Sequence, residues 1–180
     1  MPTTLSNPGR IGLTQIHGSL GFGVRVGQYL NGSGFEDFEH AFMDLGDGTL
    51  IQAEPGKAGA QIRPLDIYTE AEVHWCDGIY SRVGQSLRPA IANEARKLAG
   101  TPYSFLDYDA LVLHRFHVDT DGLRHYIGNT GHLICSQLVD TASTRGGYSI
   151  FRDNRWPGFV TPGDLYLQDL RLAIPDGLFW

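Results

Sequence analysis

With only two cysteines in 180 residues, Cys76 and Cys135, the chain has no basis for a disulfide framework, and a domain this long does not need one. Both are read as free thiols. Long apolar runs are missing too: none approaches the roughly 20 residues that span a bilayer. The stretch from Met1 to Arg10, with Pro2 and Pro8, lacks the basic-then-apolar pattern of a secretory leader. The expectation is a soluble protein with no integral membrane segment and no signal peptide, cytoplasmic or delivered by a route that needs none. Positive charge is scarce: 14 Lys and Arg against 20 Asp and Glu give a formal net charge of -6, with no basic run. That argues against nucleic acid or an anionic membrane as partner. Gly21-Phe22-Gly23 and the glycines at 32 and 34 have neither G-x-G-x-x-G nor P-loop spacing, so nucleotide binding has no support. Internal repeats and low-complexity segments are absent.

What remains is an ordinary globular balance. Hydrophobic residues make up 42% and charged residues 19%, enough for one sizeable core, and no compositional shift divides the chain. One domain over residues 1–180 follows. The clearest β signal is a hairpin: His40 to Leu45, a tight Gly46-Asp47-Gly48 connection, then Thr49 to Glu54, closed by Pro55-Gly56. Ile11 to Gly18 fits a strand or an arm, Val24 to Leu30 a short helix or a strand, and Asn31 to Gly34 a loop. Gln61 to Ile67, where Pro64 suits an edge, and Glu72 to Trp75 read as further short strands. From Gln85 to Ala99 the pattern turns helical, with Leu87, Ile91, Ala95 and Leu98 on one stripe and Gly100 as the stop. Ser104 is placed to cap a second helix from Phe105 to about His114. A third begins at Cys135 and runs to about Arg145 before Gly146-Gly147. Trp156-Pro157 marks a loop, Asp164 to Leu172 fits a closing strand or a short helix, and Ile174 to Trp180 is an apolar tail.

Gly131 to Asp140 reads as a short apolar approach that turns into a helix. A cysteine at such a junction sits where first-turn N–H groups and the positive end of the helix dipole favour thiolate over thiol. The same residue also fits a buried face, because Cys135, Leu138, Val139 and Ala142 follow the spacing of a core-facing stripe. A thiolate nucleophile needs a base, and the base needs a polar group to orient it. His40 opens the first hairpin strand, while Gln52 and Glu54, two apart on the second, share a face. With the turn near Asp47, position 40 lies across from 52 or 54, so either residue can orient the imidazole.

These residues together resemble the NlpC/P60 superfamily of papain-like cysteine hydrolases. In that family a Pro-Tyr turn precedes a Cys-Ser helix, and a hairpin of the form H-x-x-x-x-L-G-x-G carries the base. The matching residues are Pro102-Tyr103, Cys135-Ser136, and His40 with Leu45-Gly46-Asp47-Gly48. Here the hairpin precedes the cysteine helix, an order similar to the circularly permuted branch of YiiX-like hydrolases and lecithin retinol acyltransferase relatives. The likeness covers about 34–165, including Ala53-Glu54-Pro55-Gly56 and Thr161-Pro162-Gly163-Asp164-Leu165.

The resemblance implies an α+β, papain-like fold: a small antiparallel, partly barrel-like sheet packed against helices. It implies Cys135 as nucleophile, His40 as general base and Gln52 as the third polar residue, with Glu54 as fallback. The Cys135 N–H and the Tyr103 hydroxyl would form the oxyanion hole, with Ser136 on the substrate side. The implied activity is cleavage of a peptide or amide bond, with peptidoglycan stem peptides as the leading substrate, by a cytoplasmic or a virion- or effector-delivered enzyme. An acyltransferase or lipid-ester hydrolase using the same thiol is one alternative, and a catalytically silent binding module is another.

Other residues carry less. His132, three before Cys135, lies on an extended approach that would not fold back onto the thiol. His114 and His117 have a spacing that can hold a metal on a helix, but no partner with ligand spacing accompanies them. Cys76 has no helix-start context and reads as structural. Tyr103, Phe105, Tyr108 and Phe116 fit core or cleft wall. No metal and no cofactor are expected.

Overall fold

A computed structural model of the chain describes residues 7–15, 38–54, 59–103, 134–153 and 160–174. Within it, the hairpin connection fixes the register on which the sheet is laid. Gly46 and Gly48 both sit at positive φ, 85° and 82°, a conformation that side chains bearing a Cβ rarely adopt. The Asp44 carboxylate accepts from the Gly46 N–H at 2.8 Å, and Asp47 accepts from the Thr49 N–H at 3.1 Å. Arg96 reaches in from a helix to donate to Asp47 at 2.8 Å and to the Leu45 carbonyl at 3.2 Å. The flanking strands are β2 (His40–Asp44) and β3 (Thr49–Glu54), paired with Phe42 opposite Gln52 and Met43 opposite Ile51.

Among the described residues three more strands join them in an antiparallel sheet: β1 (Ile11–Thr14), β4 (Gly59–Pro64) and β5 (His74–Trp75), in the order β4-β3-β2-β1-β5. The sheet is open among the described residues, which corrects the partly barrel-like expectation. Closure would need a β4–β5 ladder, and β4 ends at Pro64, which has no N–H to give, while β5 is only two residues long. The strand expected to begin at Glu72 is shorter because Glu72 is committed elsewhere. Its carboxylate accepts from the Thr69 N–H at 2.8 Å and holds Glu70–Glu72 as a turn of 3₁₀ helix. Likewise the segment expected to stay extended to Ile67 turns at Leu65–Ile67.

Among the described residues the helices are α1 (Asp77–Arg82), α2 (Arg88–Lys97), α3 (Cys135–Arg145) and α4 (Pro162–Ala173). Helix α2 starts later than the periodicity predicts, with Pro89 in its first turn, the position proline tolerates best. Helix α3 has the expected bounds and is capped by Gly146. Helix α4 settles the choice over Asp164 to Leu172: Thr161 Oγ1 accepts from the Asp164 N–H at 3.1 Å and Asp164 accepts from the Thr161 N–H at 2.9 Å, a capping box. Helix α1 overturns the reading of Cys76 as lacking a helix-start setting, since Cys76 is its N-cap residue. No local side chain signals that start, because the cap is tertiary: Asp169 of α4 accepts from the Ile79 N–H at 3.0 Å.

Strand alternation sorts two apolar clusters. Ile11, Leu13, Ala41, Met43, Ile51 and Ala53 join Ile91 and Ala95 of α2 and Leu138, Val139 and Ala142 of α3 in the main core. On the other side of the sheet, Phe42, Leu50 and Leu65 pack with Tyr68, Val73 and Trp75. Several expectations lie outside the described residues: the segments at 21–34, Pro55-Gly56, Ser104 and the helix from Phe105, Tyr108, His114, Phe116, His117, His132, Trp156-Pro157 and the tail beyond Ile174.

Gly12 is where the two sides of the sheet constrain each other. It pairs with Phe42 and Trp75, and a Cβ there would overlap the Phe42 ring. Gly12→Ala is expected to cost about 1–3 kcal/mol by overpacking, measured by urea denaturation. Gly84→Ala, which meets no atom within 4 Å, serves as the near-neutral control.

Candidate active site

The polar residues of the site come from the ends of three elements. His40 is the first residue of β2 and Cys135 the first of α3, while Gln52 and Glu54 lie at the far end of β3. Helix α3 packs its body on the Ala41 and Met43 face, and His40 alternates to the other face, so the two meet at the tips of their elements. Extending the β2–β3 register by two residues sets His40 opposite Glu54, with Gln52 diagonal to it on the same face.

The hydrogen bonds form a directed chain. His40 Nε2 lies 2.9 Å from Gln52 Oε1, Tyr68 donates its hydroxyl to the same Oε1 at 2.8 Å, and Gln52 Nε2 donates to Glu54 Oε1 at 2.9 Å. A carboxylate can only accept, so Glu54 fixes which end of the Gln52 amide faces it. The amide oxygen is left for His40, whose Nε2 must therefore carry a proton. The nitrogen that remains for the Cys135 side chain is Nδ1.

Both partners are shielded from water, with Cys135 2% and His40 5% exposed. Burial alone pulls the His40 pKa down. The hydrogen bond and charge of Cys135, the bond to Gln52 and the charge of Glu54 more than offset that pull, so the net position is above the ordinary histidine value. At the start of α3 the first-turn N–H groups point out of the helix end, and the Ile134 N–H is held by Gln137 Oε1 at 3.1 Å. Approach and helix are thereby locked at a fixed angle.

Of the residues singled out in the sequence, Cys135, His40, Gln52 and Glu54 are brought together. Gln52 contacts the imidazole directly and Glu54 acts behind it, so the two are successive links in one chain. Ser136 is turned away: fully buried, it donates to the Val160 carbonyl at 2.7 Å and ties α3 to the lead-in of α4. Tyr103, half-buried, packs against the main core at the end of a segment whose Thr101 carbonyl accepts from the Ala60 N–H at 2.8 Å. The hydroxyl found in the network is that of Tyr68, which no sequence pattern marked. Burial, the charge of Glu54 and that of Cys135 raise its pKa against the lowering effect of bonds to Thr14 and Gln52, so it stays a donor. Tyr68 also stacks on Phe42, ring centroids 5.0 Å apart. Beside it opens a groove of about 470 Å³ lined by Phe38, Tyr68, Glu72, Val73 and His74 among others.

The sign of the His40 shift sets a test. A raised folded pKa adds stability that is complete below the unfolded value, near 6.5, and is lost as pH rises through the folded value. In Cys135→Ala the two upward contributions of the thiol vanish while burial stays. The His40 pKa is expected to fall, read from its ring resonances by NMR titration, and the stability gained on acidification through that window should shrink.

The chain matches no family model, no curated protein and no solved structure, so the site stands on its own geometry.

Proposed function

We propose that this chain is a thiol-dependent hydrolase of peptide or amide bonds, built on a permuted, papain-like NlpC/P60 plan. One observation carries the reading: the ordered chain from Cys135 through His40 and Gln52 to Glu54, with the imidazole tautomer dictated by its far end. A merely structural histidine needs no such ordering. The motif resemblance and the α+β architecture support the same reading.

In the proposed reaction the Cys135 thiolate attacks the carbonyl carbon and the carbonyl electron pair moves to oxygen. The N–H groups at the start of α3 stabilise that oxyanion. Collapse expels the amine, which takes the proton held by His40 Nδ1, and leaves a thioester. Water then attacks, giving its proton to Nδ1, and the acid departs as the thiolate returns. Throughout, Gln52 Oε1 accepts from Nε2 and keeps the ring aimed. Peptidoglycan stem peptides are the substrate class proposed first, on the strength of the resemblance.

The test pairs thiol reactivity with turnover. Iodoacetamide should label Cys135 well below the ordinary cysteine range of about pH 8.5, and His40→Ala should move that labelling to higher pH, with Cys76 as internal control. Cys135→Ala should abolish amine release from stem peptides, His40→Ala should cut kcat at least about 100-fold, and Gln52→Leu should lower kcat more than it changes KM. Unreactive Cys135 would defeat the thiol mechanism. A reactive Cys135 that leaves peptidoglycan of several chemotypes and soluble muropeptides uncut would defeat the substrate assignment.

A further inference from the structure

A second set of chemistry-bearing side chains gathers at the β5 edge of the sheet. His74 Nε2 of β5, Cys76 Sγ just beyond it and an Asp169 carboxylate oxygen of α4 all lie within 4.8 Å of one another. We propose that these three residues form a Zn²⁺ site.

The donor set is one that zinc accepts: an imidazole nitrogen, a thiolate and a carboxylate, three protein ligands with a fourth position for water or another group. A tetrahedral centre with bonds near 2.0–2.3 Å holds its ligand atoms about 3.5 Å apart. His74 Nε2 and Asp169 Oδ2 lie 3.0 Å apart and no pair of the set exceeds 4.8 Å, so side-chain movement of about an ångström closes it. Charge balances as well. A thiolate, a carboxylate and a neutral imidazole carry two negative charges, which one Zn²⁺ cancels where Cys76 and Asp169 are 0% and 3% exposed.

The surroundings have the form of an outer shell. Asp169 uses its other oxygen, Oδ1, to accept from the Ile79 N–H at 3.0 Å, which fixes the carboxylate plane. The His74 ring packs against both Phe38 and Tyr166, at centroid distances of 5.3 and 5.1 Å. Its side chain is 30% exposed and lines the groove of about 470 Å³, which gives an ion a way in. On binding, Zn²⁺ forms its bond to sulfur as the thiol proton leaves to solvent, and the His74 proton moves to Nδ1 so that Nε2 can ligate. The ion would clamp α4 to the sheet edge, joining residues 95 apart in the chain.

The test uses the full chain after chelator treatment. Addition of Co²⁺ should produce a thiolate-to-metal charge-transfer band in the near ultraviolet, and Zn²⁺ should abolish the band and raise Tm. Cys76→Ser should lose the band and Cys135→Ser should keep it. His74→Gln should weaken Zn²⁺ binding at least about tenfold in a competition titration. No band and no change in Tm would overturn the proposal, as would a band that survives Cys76→Ser and disappears in Cys135→Ser. If Cys76→Ser fails to fold by circular dichroism, His74→Gln decides, and unchanged affinity overturns the site.

Discussion

The orientation of one side-chain amide governs the candidate active site. Gln52 is 1% exposed, and its two ends are chemically opposite, so flipping it would set an NH₂ group against the His40 nitrogen and an oxygen against the Glu54 carboxylate. The Glu54 contact would become repulsive inside a site where water cannot relieve it, and His40 would have to exchange tautomers to accept at Nε2. Hydrogen bonds involving a charged group are worth roughly 1.5–3 kcal/mol each, so the Gln52–Glu54 bond biases the amide strongly. Everything upstream then follows: the donor at His40 Nε2, the Nδ1 left to face the thiol and the aim of the ring at Cys135.

That arrangement depends on a register set at the opposite end of the hairpin. The Gly46-Asp47-Gly48 turn, with Arg96 of α2 bonded to it, decides which β3 residue falls across from His40. A slip of one residue would send Gln52 and Glu54 to the core face. On the other flank, Gly12 leaves space for the Phe42 ring, on which Tyr68 stacks while it donates to Gln52. Backbone space in β1 is thus linked by packing to the hydrogen bond that orients the imidazole.

How much of this the sequence discloses depends on how far apart the partners are. The hairpin and α3 are legible because their signals are local: paired glycines, strand alternation, a helical apolar stripe and a glycine stop. His40, Gln52 and Glu54 follow from the same local register, and joining them to Cys135 required the motif resemblance. Tyr68 was not legible, since it reaches Gln52 from a turn with neither periodicity nor spacing to mark it. Helix α1 was missed for a similar reason, its cap being supplied by Asp169 from ninety residues away. The cluster of His74, Cys76 and Asp169 is a further case, because its members become neighbours only when α4 docks on the edge of the sheet.

A glutamine beside the imidazole, with a carboxylate behind it, divides two tasks that an aspartate or glutamate would combine. A carboxylate directly against His40 would stabilise the imidazolium more, but it would have to stay charged in a position with almost no access to water, at several kcal/mol of desolvation. The neutral amide carries no such penalty and still accepts from Nε2. Glu54, half-buried at the strand end, keeps much of its hydration while its charge raises the His40 pKa through space. The charge is set back by one side chain, which weakens its pull on the ring and keeps it from fixing the proton there. In the hydrolase mechanism we propose, a base that would take a proton from Cys135, return it to a leaving amine and take another from water is better served by that moderate bias than by a strong one. The Tyr68 hydroxyl adds to this moderation by sharing the same Gln52 oxygen and limiting how tightly it can hold His40.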